Sequence, residues 1–183
     1  MIDRETAEEM VREEISEENL VKHMLAVEAA MRELANYFDE DEDEWGIAGL
    51  LHDLDYERTK DDPDRHALLT VEMLEEKDVD LNDAQLDAIK AHAGHKTPET
   101  KMEKSIYAAD PLTGLIVAGA LVHPDGIMEM DPEFIHNRYD ENSFARSADR
   151  EAIKTCEDMG FSLEEFFDVV LSGMQKINDE LGL

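Results

Sequence analysis

His52 and Asp53 stand side by side at the end of WGIAGLL (45–51), a charge-free run in a chain that is 35% charged. A second dry segment, SIYAADPLTGLIVAGALV at 105–122, carries one charged residue, Asp110. An ionised carboxylate in dry surroundings is costly unless it takes up a proton or finds a partner. Two such acids, one beside an imidazole, point to a shared cation. Further imidazoles lie near other apolar segments. His23 borders an apolar stripe next to Met24, His66 follows Arg65 in DPDRHALLT, and His92 closes a segment with Leu86 and Ile89. His23, His52, Asp53, His66, His92 and Asp110 thus offer nitrogen and oxygen donors from five segments. That mixture suits a divalent first-row metal with open water positions better than calcium, which takes oxygen ligands. Asp110 before Pro111 has a competing reading as a helix N-cap. His95 follows Gly94, where its helix should be ending, and His123 and His136 read as hydrogen-bonded structural residues.

The elements that must position these groups read as helices throughout, and the fold class is all-α. A short charged helix covers 3–15. Ser16 is the expected N-cap of a long helix to about Phe38, with Leu20, Met24, Val27, Met31, Leu34 and Phe38 as its stripe. The acids at 41–44 suit the N-terminus of a helix running to about Asp55. That helix is apolar nearly all round, hence buried, and Ala48 and Gly49 should leave room beside His52. Asp62-Pro63-Asp64 opens a helix to about Glu76, and Asn82 or Asp83 caps one that ends near Gly94. Thr100 to Val122 forms a long apolar helix that Pro111 should kink or restart. Asp131-Pro132 starts a short helix, Ser147 or Asp149 one to Met159, and Ser162 with Glu165 is a capping box for the last.

Composition narrows the function classes. The 183 residues suit a single domain. A formal net charge of −30 repels nucleic-acid polymers and anionic membranes, and suits a cytoplasm of high salt. The lone Cys156 excludes an internal disulfide and a cysteine-based zinc cage, and reads as packing. The opening MIDRETAEEM is acidic, unlike a signal peptide, and Leu115–Val122 is too short to span a bilayer. The expected location is cytoplasmic. The long apolar stripes could bury a helix of a second copy, giving a homo-oligomer, as readily as the core.

With these residues in place, the chain resembles the HD superfamily of metal-dependent phosphohydrolases, in particular its small single-domain members. The family order is a histidine, an adjacent His-Asp pair and a distant aspartate. Here these are His23 in NLVKHMLAVE, His52-Asp53 in GLLHDLDYE and Asp110 in YAADPLTGL, while His66 and His92 match the extra histidines of two-metal members. The likeness covers about 16–122 and runs on through SFARSADREAIKTCEDMGFSLEEF. Pro111 departs from the helix-compatible residue the pattern leads one to expect. The resemblance implies an HD-type helical bundle at about 16–122 with a C-terminal helical extension at about 131–183, together one domain over 1–183. It implies one or two divalent transition-metal ions (Fe, Mn, Zn, Ni or Co). His23, His52, Asp53 and Asp110 would hold the first, and His66 and His92 the second, with Asp53 bridging. It also implies hydrolysis of a phosphoester, best matched by a nucleotide, through a metal-activated water, with His52 and Asp53 at the reacting centre. Of the basic residues Lys22, Arg65, Lys104, Arg138 and Arg146, Arg65 and Arg146 are the candidate phosphate contacts. The alternative is an HD-type regulatory or interaction domain that binds metal without turnover. A redox di-iron bundle would need two Glu-x-x-His pairs, and the chain has only Glu133–His136.

Overall fold

The computed structural model describes residues 2–183, and all regular structure among them is helical. Helix α1 (Arg4–Glu14) starts at Asp3, whose carboxylate accepts from Thr6 N at 2.9 Å. Helix α2 (Glu18–Phe38) buries Met24, Val27, Met31 and Leu34 of the expected stripe, with Leu20 and Phe38 half-buried at its ends. Its cap is not Ser16. The Glu57 carboxylate, from forty residues further along, accepts from Ser16 N at 2.9 Å and Glu17 N at 2.7 Å. Ser16 Oγ donates to the same carboxylate instead of accepting from its own helix. These bonds, the Glu17 amide first, hold the Glu57 carboxyl below its ordinary range. Glu57→Ala leaves these two amides at the entry to α2 without their acceptor and should lower the melting temperature, followed by circular dichroism; no change would show that the bonds add nothing net to stability.

Helix α3 (Glu42–Leu51) is capped by Asp41, which accepts from Asp43 N and Glu44 N. It is buried from Trp45 to Leu51. It stops at Leu51 instead of reaching Asp55, because side chains take the groups a further turn would use. The His52 ring donates to Gly49 O at 2.7 Å, the carbonyl Asp53 N would otherwise take, and Asp55 N donates to Thr70 Oγ at 3.1 Å. Residues 52–55 turn into the short α4 (Tyr56–Thr59). Gly49 serves α2 and not the room beside His52, since a Cβ there would meet Val27 O at 2.9 Å.

Helix α5 (Leu68–Glu76) begins well after the expected start at 62–64. Residues 63–67 form turns, and the buried Ala67 has a φ of 63°. That left-handed backbone, costing about 1 kcal/mol or more for a residue with a Cβ, breaks any helix running from Pro63. Helix α6 (Asp83–His92) carries an Asn82–Gln85 capping box, and Gln85 ties it to Glu44 O of α3 at 2.9 Å. Gly94, at a φ of 80°, ends it as expected while His95 N closes onto Lys90 O.

Helix α7 (Lys101–Val122) is one element, neither restarted at Pro111 nor capped there by Asp110. It is central, touching α2, α6, α8, α9 and α10. Taken whole it is long and apolar enough to cross a membrane, a test that the short Leu115–Val122 stretch does not represent, but most of its apolar residues are buried in this core. A 3-10 turn (Ile127–Glu129) leads to α8 (Pro132–Asp140), capped by Asp131. Asp149 caps α9 (Arg150–Lys154), which continues as a 3-10 turn to Met159. The Ser162–Glu165 capping box opens α10 (Leu163–Lys176), packed on α2, and α11 (Asn178–Leu181) follows.

Candidate metal centre

The six sequence-predicted donors converge. His23 comes from the second turn of α2, His52 and Asp53 from the end of α3, His66 from the turn before α5, His92 from the last turn of α6 and Asp110 from mid-α7. The Asp53 carboxylate is the hub. Its Oδ1 lies 3.3 Å from His66 Nε2, 3.3 Å from His92 Nε2 and 3.5 Å from His52 Nε2, and its Oδ2 lies 3.7 Å from His23 Nε2. Asp110 Oδ1 stands 2.9 Å from His23 Nε2 and 3.8 Å from His52 Nε2. Donor atoms of His23, His52 and Asp110 all fall within 4.8 Å of one another, as do those of His52, Asp53 and His92.

Which ring nitrogen faces the cluster is set from behind. Carbonyl and carboxylate oxygens only accept, so a ring nitrogen bonded to one carries the hydrogen. His52 Nδ1 donates to Gly49 O, His92 Nδ1 to Ile89 O at 2.5 Å and His66 Nδ1 to Asp55 Oδ1 at 2.9 Å. Thr113 Oγ donates to Asp110 O at 2.8 Å, which leaves it to accept from His23 Nδ1 at 3.4 Å. All four Nε2 atoms of the neutral rings therefore turn lone pairs inward. The Nε2 atoms of His66 and His92 face each other at 3.2 Å, and the fully buried His52 Nε2 has no hydrogen-bond partner among the described residues. Lone pairs held that close, beside two carboxylates, require protons or a cation between them.

The electrostatics of the cluster make the same demand. Burial pushes His52 towards the neutral form, but Asp53 and Asp110 outweigh it and raise its pKa to about 9. Burial likewise opposes charge on His66, and Asp53 and Asp55 raise it to about 10. Burial disfavours the charged carboxylates too, yet His52, His66 and His92 hold Asp53 well below its ordinary range, and His23 and His52 do the same for Asp110. The pocket thus stabilises positive charge at its centre. Four imidazole nitrogens with carboxylate oxygens form the donor set expected for a divalent transition metal.

Other expectations resolve differently. Arg65 is half-exposed and paired with Glu72 at 2.7 Å, outside the cavity. Its helix starts only at Leu68, so His66 turns inward while Arg65 stays with solvent. Arg146 is exposed, and although Ala145 and Ser147 line the cavity, Arg146 itself does not. His95 stays outside the cluster and donates to His66 O at 2.8 Å, which braces the turn. His123 accepts from Asp125 N, and His136 lies near Asp140 and Glu164. Cys156 is buried as expected, and burial pushes its thiol up to about 12. Asp55 went unread in the sequence. It is fully buried, holds the His66 ring and accepts from Thr70 N at 3.2 Å. The signal was its spacing two residues after Asp53, obscured in a chain with 47 acids.

A helical bundle whose core gathers a His, a His-Asp pair and a distant Asp defines a class. The family model for the HD domain matches residues 20–123, and the chain belongs to that family, most of whose members are metal-dependent hydrolases. No curated protein and no solved structure matches significantly. Helices α8–α11 lie beyond the matched residues.

Proposed function

We propose that this chain is a metal-dependent phosphohydrolase that cleaves a phosphoester, best matched by a nucleotide. The observation carrying the reading is the four inward-facing Nε2 lone pairs around two carboxylates. His23, His52, Asp53 and Asp110 would hold one divalent transition-metal ion, and His66 and His92 with Asp53 a second. Such ions make a bound water acidic enough to attack near neutral pH and offset the charge of phosphate oxygens. The chain's own residues do the rest. Gly49 O, Ile89 O, Asp55 and Thr113 hold each ring in the tautomer that presents Nε2. Burial of His52, Asp53 and Asp55 keeps bulk water from competing for the donors. An open cavity of about 800 Å³ reaches His23, Asp53, His66, His92 and Asp110 and gives an ester access to them.

The test is elemental analysis of the purified protein followed by a panel of phosphomonoesters and phosphodiesters, with His52→Ala as control. Metal at one or two equivalents with hydrolysis lost in the variant supports the reading. Stoichiometric metal without turnover on any ester would leave a metal-binding regulatory domain. Asp55→Asn gives a finer check, because it keeps the shape but replaces a carboxylate acceptor on His66 by an amide. Metal affinity or activity should fall about 10–100-fold, the usual cost of losing a group that orients a ligand. Unchanged occupancy would show that His66 needs no such support.

A further inference from the structure

Resting on the phosphohydrolase reading, the cavity narrows the substrate. No lysine or arginine is among its lining residues, whereas Glu17 and Asp149 are. Sites that handle di- and triphosphates surround the extra phosphoryl groups with Arg, Lys or backbone donors. Among the lining residues, then, nothing adds to the charge of bound metal, which Asp53 and Asp110 partly offset, and the exposed Arg146 lies between two lining residues without being one. A chain of formal net charge −30 adds nothing to attract a polyanion.

Leu20, Tyr56 and Tyr107 supply larger apolar and aromatic wall, and two further stretches are small and uncharged. Along α7, Pro111, Gly114 and Ala118 line the cavity beyond Asp110. Gly114 is exposed, and a Cβ built there would meet nothing within 4 Å. Glycine in a helix interior costs about 1 kcal/mol relative to alanine, and no contact among the described residues requires it here. Ala145, Ser147 and Ala148 of the 141–149 loop line the cavity as well. That loop is held by Arg150, whose guanidinium donates to Phe144 O, Ala145 O and Ala148 O at 2.5–2.8 Å. The Arg150 guanidinium is thereby spent on backbone, and the wall it fixes lies outside the family match.

We propose that the cavity takes esters with a single phosphoryl group, placed at the His/Asp cluster, and an organic part without further negative charge that lies over Pro111 and Gly114 against the 141–149 loop. The test is calorimetric binding to the metal-loaded protein, with free metal held constant by a metal buffer. The probes are orthophosphate and non-hydrolysable phosphonate analogues of a nucleoside mono- and triphosphate. The monophosphate analogue should bind at least tenfold more tightly than the triphosphate analogue. Ser147→Arg, which brings a cation to the wall, should narrow that gap at least tenfold. Gly114→Leu should weaken the monophosphate analogue at least tenfold more than orthophosphate. Equal or tighter binding of the triphosphate analogue overturns the proposal. If Gly114→Leu weakens both probes alike, the placement of the organic part is wrong. Failure of orthophosphate to bind the loaded protein would instead sink the phosphohydrolase reading beneath it.

Discussion

Asp53→Ala is expected to purify without stoichiometric metal and to lose well over about 100-fold of any hydrolytic activity, since groups that merely orient ligands already cost 10–100-fold. Asp53 is the one residue whose carboxylate lies within 4 Å of all four inward-facing imidazoles. Its removal also withdraws the leading counter-charge that offsets burial at His52 and His66, so both imidazoles should titrate below about 9 and 10. Histidine resonances followed by NMR would read this independently of activity. The helices should persist, because the core from Met24 to Met174 does not rest on Asp53. Stoichiometric metal in a folded Asp53→Ala protein would remove Asp53 from the ligand set.

The second large effect is metal removal and its dependence on pH. Metal at about 1,000 times its dissociation constant stabilises a fold by about 4 kcal/mol. In a chain of this size that is roughly 8–16 °C in melting temperature between loaded and chelator-stripped protein. The gap should widen as pH rises. In the stripped protein, His52 and His66 have folded pKa values of about 9 and 10, above the ordinary 6.5. Their contribution to stability is fully present below pH 6.5 and is lost as pH climbs through those values. Asp53 and Asp110, held low, contribute above their ordinary 3.8 and lose that contribution only as pH falls through their lowered values. Metal must displace the imidazole protons, so its affinity should rise about tenfold per pH unit for each proton released. Melting curves of loaded and stripped protein at pH 6 and 8 test this. A gap that is constant or shrinks with pH would show that His52 and His66 are not displaced by the ion.

The ends of α2 and α3 show why the elements read well while some of their boundaries did not. Helical periodicity is local and needs only burial of one face, so α2, α6, α7 and α10 lay where the stripes and capping residues put them. Helix ends, by contrast, depend on who takes the last free donors and acceptors. Glu57 at the entry to α2 and Thr70 at the end of α3 lie forty and fifteen residues from the amides they bind. No local pattern contains such partners, and Ala67 in a left-handed turn has none of the glycine or asparagine that usually announces one.

By itself the sequence determined that the chain is helical and marked six donors, His23, His52, Asp53, His66, His92 and Asp110, as candidates for one centre, beginning from Asp53 and Asp110 in their dry surroundings. Dry segments make isolated charges too costly to leave unexplained, and that cost can be read from composition alone. Only the tertiary structure decided which nitrogen of each ring turns inward, that Asp55 stands behind His66, and that Arg65 and Arg146 stay outside the cavity. Those outcomes depend on hydrogen bonds and distances between residues far apart in the chain, and a linear order of residue types does not contain them.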